Sequence, residues 1–315
     1  MKIGIVGCGH VGSASAYACA LRGVGTELVL VDRDPLLAGA QAEDILHATP
    51  FAKSMPVRAG DYDALNGAGI VMIAAGVGQK PGETRLDLLR RNAAVFRDII
   101  PEILGAAGDA ILLIATNPVD IMTHMAASIA AEHGHAPGRV IGSGTILDTA
   151  RFRTLLAGHF GVSSHSVHAH VIGEHGDSEV LHWSGASISN IALPEFGRQT
   201  GTPAGDGVKE SIDASVRRAA YRIIQGKGAT WYGIGAGMAR IARAVTENEH
   251  AVLTCCAPMA DVEGIRNVTL SLPHVVSARG IVRTLYPTLD GKEKEALKAS
   301  AAILRRAIDE IGDKY

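Results

Sequence analysis

Short runs of Val and Ile punctuate the first half of the chain: "KIGIVG", "ELVLVD", "IVMIAAG" and "AILLIA", with weaker ones at "PVRAG" and "RVIGSG". Their apolar residues do not alternate with polar ones. A run apolar on both faces predicts a parallel strand covered by helices on either side. Longer Ala- and Leu-rich segments separate most of the runs: "SASAYACALRG", "LLAGAQAEDILHA", "LDLLRRNAAVFRDIIPEIL" and "IMTHMAASIAAEHG". The alternation predicts an α/β fold with an N-terminal doubly wound parallel (Rossmann) sheet, its ligand at the carboxyl ends of the strands.

At 315 residues the chain exceeds the usual single domain, so two lobes are expected. We place the doubly wound domain over residues 1–144 and an α+β domain over 145–315. In the second part "SIDASVRRAAYRIIQGKG" and "KEKEALKASAAILRRAIDEI" read as helical. Hydrophobic residues make up 47% and aromatics only 4%, so the core must be built from Ala, Val, Ile and Leu. A net charge of −2 offers no basic field for nucleic acid or an anionic membrane. No apolar run is long enough to span a bilayer, and "MKIGIVGCGHVG" enters a strand at once without the layout of a signal peptide. The expectation is a cytoplasmic protein. Cys8, Cys19, Cys255 and Cys256 match no zinc or CxxC spacing and read as small buried residues.

"GCGHVG" stands where a phosphate-binding turn belongs, between the first strand and the first helix. Gly7 permits the tight turn, Gly9 lets a pyrophosphate approach the backbone, and Gly12 allows the helix to pack closely. Asp32 closes the second strand. Its carboxylate can accept from a ribose 2′-hydroxyl and would repel a 2′-phosphate, favouring NAD over NADP; Arg33 beside it would partly offset that repulsion.

Two further stretches carry chemistry. "GVGQKPGETR", Gly76 to Arg85, is longer and more polar than a turn requires and suits a lid. "SSHSVHAHVIGEHGDSEV" holds His165, His168, His170 and His175. His168 and His170 would share a strand face, which admits a metal reading, but no third ligand is evident. His175 lies at a glycine-flanked strand end, where backbone can approach a ligand. Asp148 and Arg151 are three apart on a predicted helix and share a face. They are either a surface ion pair or a unit in which Asp148 orients His175 and Arg151 clamps a carboxylate.

"GCGHVG", "QKPGETRLDLLRRN", "ATNPVD", "GSGTILDTARFR", "IGEHGDSE" and "GKGATWYG" resemble, in order and approximate spacing, the lactate/malate dehydrogenase family. The resemblance spans nearly the whole chain and is closest to the bacterial lactate branch, which also lacks an arm before the first strand. It implies that His175 exchanges the proton, that Asp148 holds its imidazole, and that Arg151 binds the substrate carboxylate. Arg85 would polarise the ketone on loop closure, and Gln79 would face the substrate side chain. Asn117 would adjoin both nicotinamide and substrate, and Thr230 would line the pocket. Val11, Asp32, Tyr62, Gly76, Val77, Ala115 and Ser143 would flank the NAD, with the three glycines.

The implied substrates are pyruvate and L-lactate, and the implied assembly is a homotetramer. Oxaloacetate needs a cation where this loop has Gln79, although Lys80 follows; longer 2-keto acids stay open. A non-catalytic NAD-binding protein of the same fold should have lost His175, Asp148, Arg151 or Arg85, and all four are present. Arg153 lies about 200° from Arg151 around an ideal helix. His168, an odd spacing before His175, would face away from it on an unbroken strand. The two are either ordinary surface residues or, as the resemblance implies, part of a fructose 1,6-bisphosphate site between subunits.

Overall fold

In the computed structural model, which describes residues 1–78 and 82–312, the first strand and helix are β1 (Lys2–Val6) and α1 (His10–Arg22). They are followed by β2 (Glu27–Val31), α2 (Pro35–Ala48), β3 (Val57–Ala59) and β4 (Ala68–Ile73). Next come α3 (Arg85–Ala106), β5 (Ile111–Ile114), α4 (Val119–Glu132) and β6 (Val140–Gly142). Each of the six runs picked out by their lack of alternation forms a strand. They pair in parallel in the order β3-β2-β1-β4-β5-β6. The order reverses between β1 and β4, and a crevice at that reversal is the expected ligand position.

The second half begins with α5 (Ile146–Phe160) and continues through strands of two residues each. These are β7 (Val167–His168), β8 (Val171–Ile172), β9 (Val180–Leu181), β10 (Ser187–Ile188) and β11 (Ile191–Ala192). Helices α6 (Leu193–Thr200), α7 (Asp206–Arg217), α8 (Ala219–Lys227) and α9 (Tyr232–Thr246) follow. The chain ends with β12 (Ala251–Val262), β13 (Ile265–Ser277), β14 (Gly280–Thr284) and α10 (Gly291–Ile311).

Three features differ from the sequence expectation. The large sheet is not confined to the first half: β12 joins β6 through Cys256 and Gly142, and β13 and β14 extend it to nine strands. "SIDASVRRAAYRIIQGKG" is two helices, because α7 ends at Arg217 and α8 restarts after Arg218; α8 buries none of its residues, so no core contact holds the two in line. The segment before His175 is not one strand. β7 pairs with β10, β8 pairs with β9, and the chain leaves extended pairing between them.

The core follows the composition. Ile3, Ile5, Leu28, Leu30, Ile70 and Met72 are fully buried in the parallel strands. On α3 the buried positions Leu89, Asn92, Ala93, Phe96, Ile100 and Ile103 keep helical spacing and pack on the sheet. A separate cluster around Phe152, Leu156 and Phe160 of α5 supports the second lobe. Among the described residues no helix is long and apolar enough to cross a membrane.

Candidate active site

The crevice at the strand ends is built mostly from backbone. Gly7 turns with φ +94°, and a side chain there would collide with the backbone of Ala75 beyond β4. A Cβ on Gly12 would run into the Gly7 carbonyl oxygen, so α1 lies against β1 only because position 12 has none. Gly9 is the opposite case. An added Cβ would meet nothing within 4 Å, and Gly9 caps α1 without a side-chain hydrogen bond. The first-turn N–H groups of α1 are therefore available to a phosphate, with open space above them. Asp32 follows β2, and both its oxygens are engaged by backbone: Oδ2 accepts from Cys8 N at 2.6 Å and Oδ1 from Asp34 N at 3.0 Å. Open approach, free donors and one carboxylate fit a dinucleotide.

The other residues expected here lie on the same rim. Val11 is half-buried in the first turn of α1. Tyr62 is half-buried, and burial, followed by the charges of Glu102, Asp32 and Asp98, raises the pKa of its phenol. Gly76 and Val77 follow β4, and Val77 N donates to Asn92 Oδ1 at 2.8 Å. Ala115 is buried just after β5, whereas Asn117 is exposed before Pro118. Ser143 is buried and donates its N–H to Ile114 O at 2.8 Å, continuing the sheet.

Across the crevice, side chains from distant parts of the chain converge. Asp148, in the first turn of α5, is 2% exposed. Its Oδ2 bonds His175 Nδ1 at 2.5 Å, and its Oδ1 accepts from Arg151 Nη1 at 2.6 Å. The alternative of a surface ion pair is thereby removed. Gly173, with φ +86° and bridged to Ser271, ends the β8 segment and turns the chain so that His175 reaches α5. Asp148 occupies Nδ1, so Nε2 is the nitrogen left to meet a ligand, and 26% of the side chain is exposed.

Burial pushes the His175 pKa down, but the Asp148 charge and hydrogen bond outweigh it, with smaller help from Asp120 and Glu179, and carry it up to about 9. Burial would raise the Asp148 pKa, yet His175 and Arg151 hold it below the usual carboxylate range. Two acids beside this pair behave differently. Burial pushes Asp120 up to about 7 and Glu179 up to about 8. The site thus holds a cationic imidazole at neutral pH beside a committed carboxylate.

Arg85 opens α3, whose cap is the Thr84 side chain accepting from Asp87 N at 3.1 Å. Gln79, Lys80 and the side chain of Arg85 lie outside what the structure describes. Thr230 is half-buried in the connection between α8 and α9. That connection is held to the glycine turn by Trp231, whose ring stacks on His10 with centroids 4.5 Å apart.

The histidine cluster needs correction. Alternation cannot place His168 and His170 on one face, because β7 ends at His168. His168 is exposed opposite Ser187, while His170 is half-buried and its carbonyl accepts from His182 N at 2.9 Å. Nor does the odd spacing from His168 to His175 carry weight, since the strand is broken between them. Arg153 does diverge from Arg151: its Nε donates to Ala169 O at 2.8 Å, and it lines a pocket with His168, His165 and Arg240. Among the described residues no group of three or more His, Cys, Asp or Glu is arranged to hold a metal.

Comparison with known proteins gives a consistent result. The lactate/malate dehydrogenase NAD binding domain matches residues 1–142, and the alpha/beta C-terminal domain of the same family matches residues 145–314. The chain belongs to the lactate/malate dehydrogenase family. It is an NAD-dependent oxidoreductase with NAD(H) as cofactor. It is 57% identical to the L-lactate dehydrogenase of Thermus aquaticus, over 99% of this chain and 100% of that one. Identity to the Geotalea daltonii L-lactate dehydrogenase is 54%, over 99% of each. Among solved structures, the minor L-lactate dehydrogenase of Enterococcus mundtii aligns with a TM-score of 0.94 at 35% identity over 99% of each chain. A lactate dehydrogenase from a Medee basin deep-sea metagenome library also gives 0.94, at 38% identity over 98% of each.

Sequence reasoning missed three residues in this family member. Asp120 is buried and its Oδ2 accepts from His175 N at 2.7 Å. Asn92, also buried, holds the start of the loop after β4 through Val77. Trp231 joins the α8–α9 connection to the cofactor side. Asn92 had a readable signal, a polar residue at the apolar spacing of α3. Asp120 had a weaker one, an acid in the first turn of a mostly apolar helix.

Proposed function

We propose that this family member is an L-lactate dehydrogenase, reversibly reducing pyruvate to L-lactate, with a role in fermentative glycolysis in the cytoplasm. The observation that carries the reading is the Arg151–Asp148–His175 chain, in which one buried carboxylate serves two cations at 2.6 and 2.5 Å. Gly7, Gly9, Val11, Gly12 and Asp32 would hold the adenosine and pyrophosphate side of NAD. Tyr62, Gly76, Val77, Ala115, Asn117 and Ser143 would line the remainder. NADH, when bound, supplies the hydride. His175 gives the Nε2 proton to the ketone oxygen, and Asp148 stabilises the imidazolium beforehand and fixes which nitrogen faces outward. Arg151 spends one nitrogen on Asp148 and keeps its others for the substrate carboxylate. Arg85 stabilises the developing alkoxide, more strongly once loop closure excludes water. Thr230 and Asn117 confine the substrate.

Names of relatives more than half identical along the full chain support the lactate assignment, as does neutral Gln79 where a dicarboxylate would need a cation. The test is NADH oxidation with pyruvate and with oxaloacetate side by side. Preference for oxaloacetate rejects the reading. A shared pocket for Arg153 and His168 supports the further reading that fructose 1,6-bisphosphate activates the enzyme in a homotetramer. Pyruvate saturation with and without the bisphosphate, together with sedimentation, tests both; an unmoved curve removes the effector.

A further inference from the structure

Asp148 holds the ring of His175, but a ring is only as well placed as the backbone that carries it. We propose that Asp120 is the positioning residue for that backbone: its Oδ2 takes the His175 N–H at 2.7 Å, so the first turn of α4 sets where the imidazole stands. The contact joins residues 55 apart in sequence and crosses from the first half of the chain to the second. It deepens the proposed function, because it matters only if His175 carries the proton.

Three observations make this more than a loop contact. Asp120 is 2% exposed, and its second oxygen, Oδ1, meets no N–H or O–H donor; the Cys256 thiol beside the carboxylate is only a weak one. Burying a carboxylate with so few strong donors is costly, and an apolar residue would fill the space at no such cost. The first turn of α4 offsets part of that cost, since a helix N-terminus favours negative charge. Its one N–H donor is the backbone of the proton carrier itself. The groups facing Asp120 are His175, which lowers its pKa, Glu174, which raises it, and the Cys256 thiol. Facing His175 are Asp148, Asp120 and Glu179, all of which favour the imidazolium. Burial places the Asp120 pKa at about 7, so its charge grows in across neutrality, where it sustains the imidazolium from the backbone side.

Two substitutions separate the bond from the charge. Asp120→Asn keeps an oxygen to accept from His175 N but loses the charge; Asp120→Ala loses both. For Asp120→Asn we expect kcat for pyruvate reduction to stay within a few-fold of wild type at low pH, and the alkaline fall to come at lower pH. For Asp120→Ala we expect kcat to drop on the order of 100-fold at every pH, as for a misplaced reacting group. NADH affinity, read by fluorescence titration, should be unchanged in both and checks that each folds. If Asp120→Ala binds NADH normally and turns over like wild type, the proposal is overturned. It is equally overturned if Asp120→Asn falls as far as Asp120→Ala with an unmoved pH profile, since the carboxylate would then be only structural packing. Should Asp120→Ala not fold, the Asp120→Asn pH profile alone decides. His175→Ala measured beside them keeps the two readings apart, because turnover surviving that change rejects the role of His175 and not only that of Asp120.

Discussion

The two walls of the crevice are made in different ways. On the strand-end wall the ligand-facing groups are mostly main chain: a turn at Gly7, open space over Gly9 and free N–H groups of α1, with one side-chain carboxylate, Asp32, that itself holds the turn. On the opposite wall they are side chains gathered from α4, α5 and the segment after β8. The first wall offers shape and weak dipoles suited to binding a constant cofactor. The second offers charges whose protonation can change during the reaction. Affinity for NADH and proton chemistry should therefore be separable by mutation.

The largest separation is expected at His175. His175→Ala should lower kcat by roughly 10²–10⁴-fold, the usual worth of a general acid, and leave the NADH dissociation constant in place. A parallel loss of NADH binding would break the division between the walls.

Asp148→Asn comes next and sharpens it. In the wild type the His175 pKa is raised to about 9, so pyruvate reduction, which needs the proton, should persist through neutral pH and fall as pH passes about 9. Removing the negative charge should move the fall to lower pH and reduce the rate. Lactate oxidation, which needs the neutral ring, should gain at lower pH relative to wild type. A stopped-flow pH series in both directions reads this, and unchanged limbs would show that Asp148 does not set the imidazole.

Asp32→Ala addresses the first wall. It removes the acceptor for Cys8 N and Asp34 N together with the proposed ribose contact, so NADH affinity should fall roughly 10- to 100-fold with kcat at saturation little changed. Smallest in its expected effect on turnover at saturating NADH is Gly12→Ala. The added methyl meets the Gly7 carbonyl, and separating α1 from β1 should cost about 3 kcal/mol of stability or more. Thermal melts with and without NADH distinguish that loss from a loss of binding.

Legibility in the sequence follows the same division. Parallel strands must be apolar on both faces, and a pyrophosphate turn must carry glycine at fixed offsets from a helix start. Both are local requirements, so β1 to β6, Gly7, Gly9, Gly12 and Asp32 could be placed from the string of residues. The neighbouring lobe has strands of two residues, too short to show any period, and the histidine spacing there was misread for that reason. The long antiparallel strands β12 and β13 carry Thr, Ser, Pro and Cys at buried positions, so their joining of the main sheet had no apolar signature to announce it.

By itself the sequence determined a doubly wound sheet with a dinucleotide turn, and a helix whose Asp148 and Arg151 share one face. Those features depend on backbone geometry and helical period, which act over a few residues. Only the tertiary structure decided that Asp148 serves both Arg151 and His175, that Asp120 reaches across from α4 to the same histidine, and that Asn92 and Trp231 brace the rim. A carboxylate's partner, and with it the pKa of an imidazole, is set by distances across folded elements and by exclusion of water, and neither is written in local spacing.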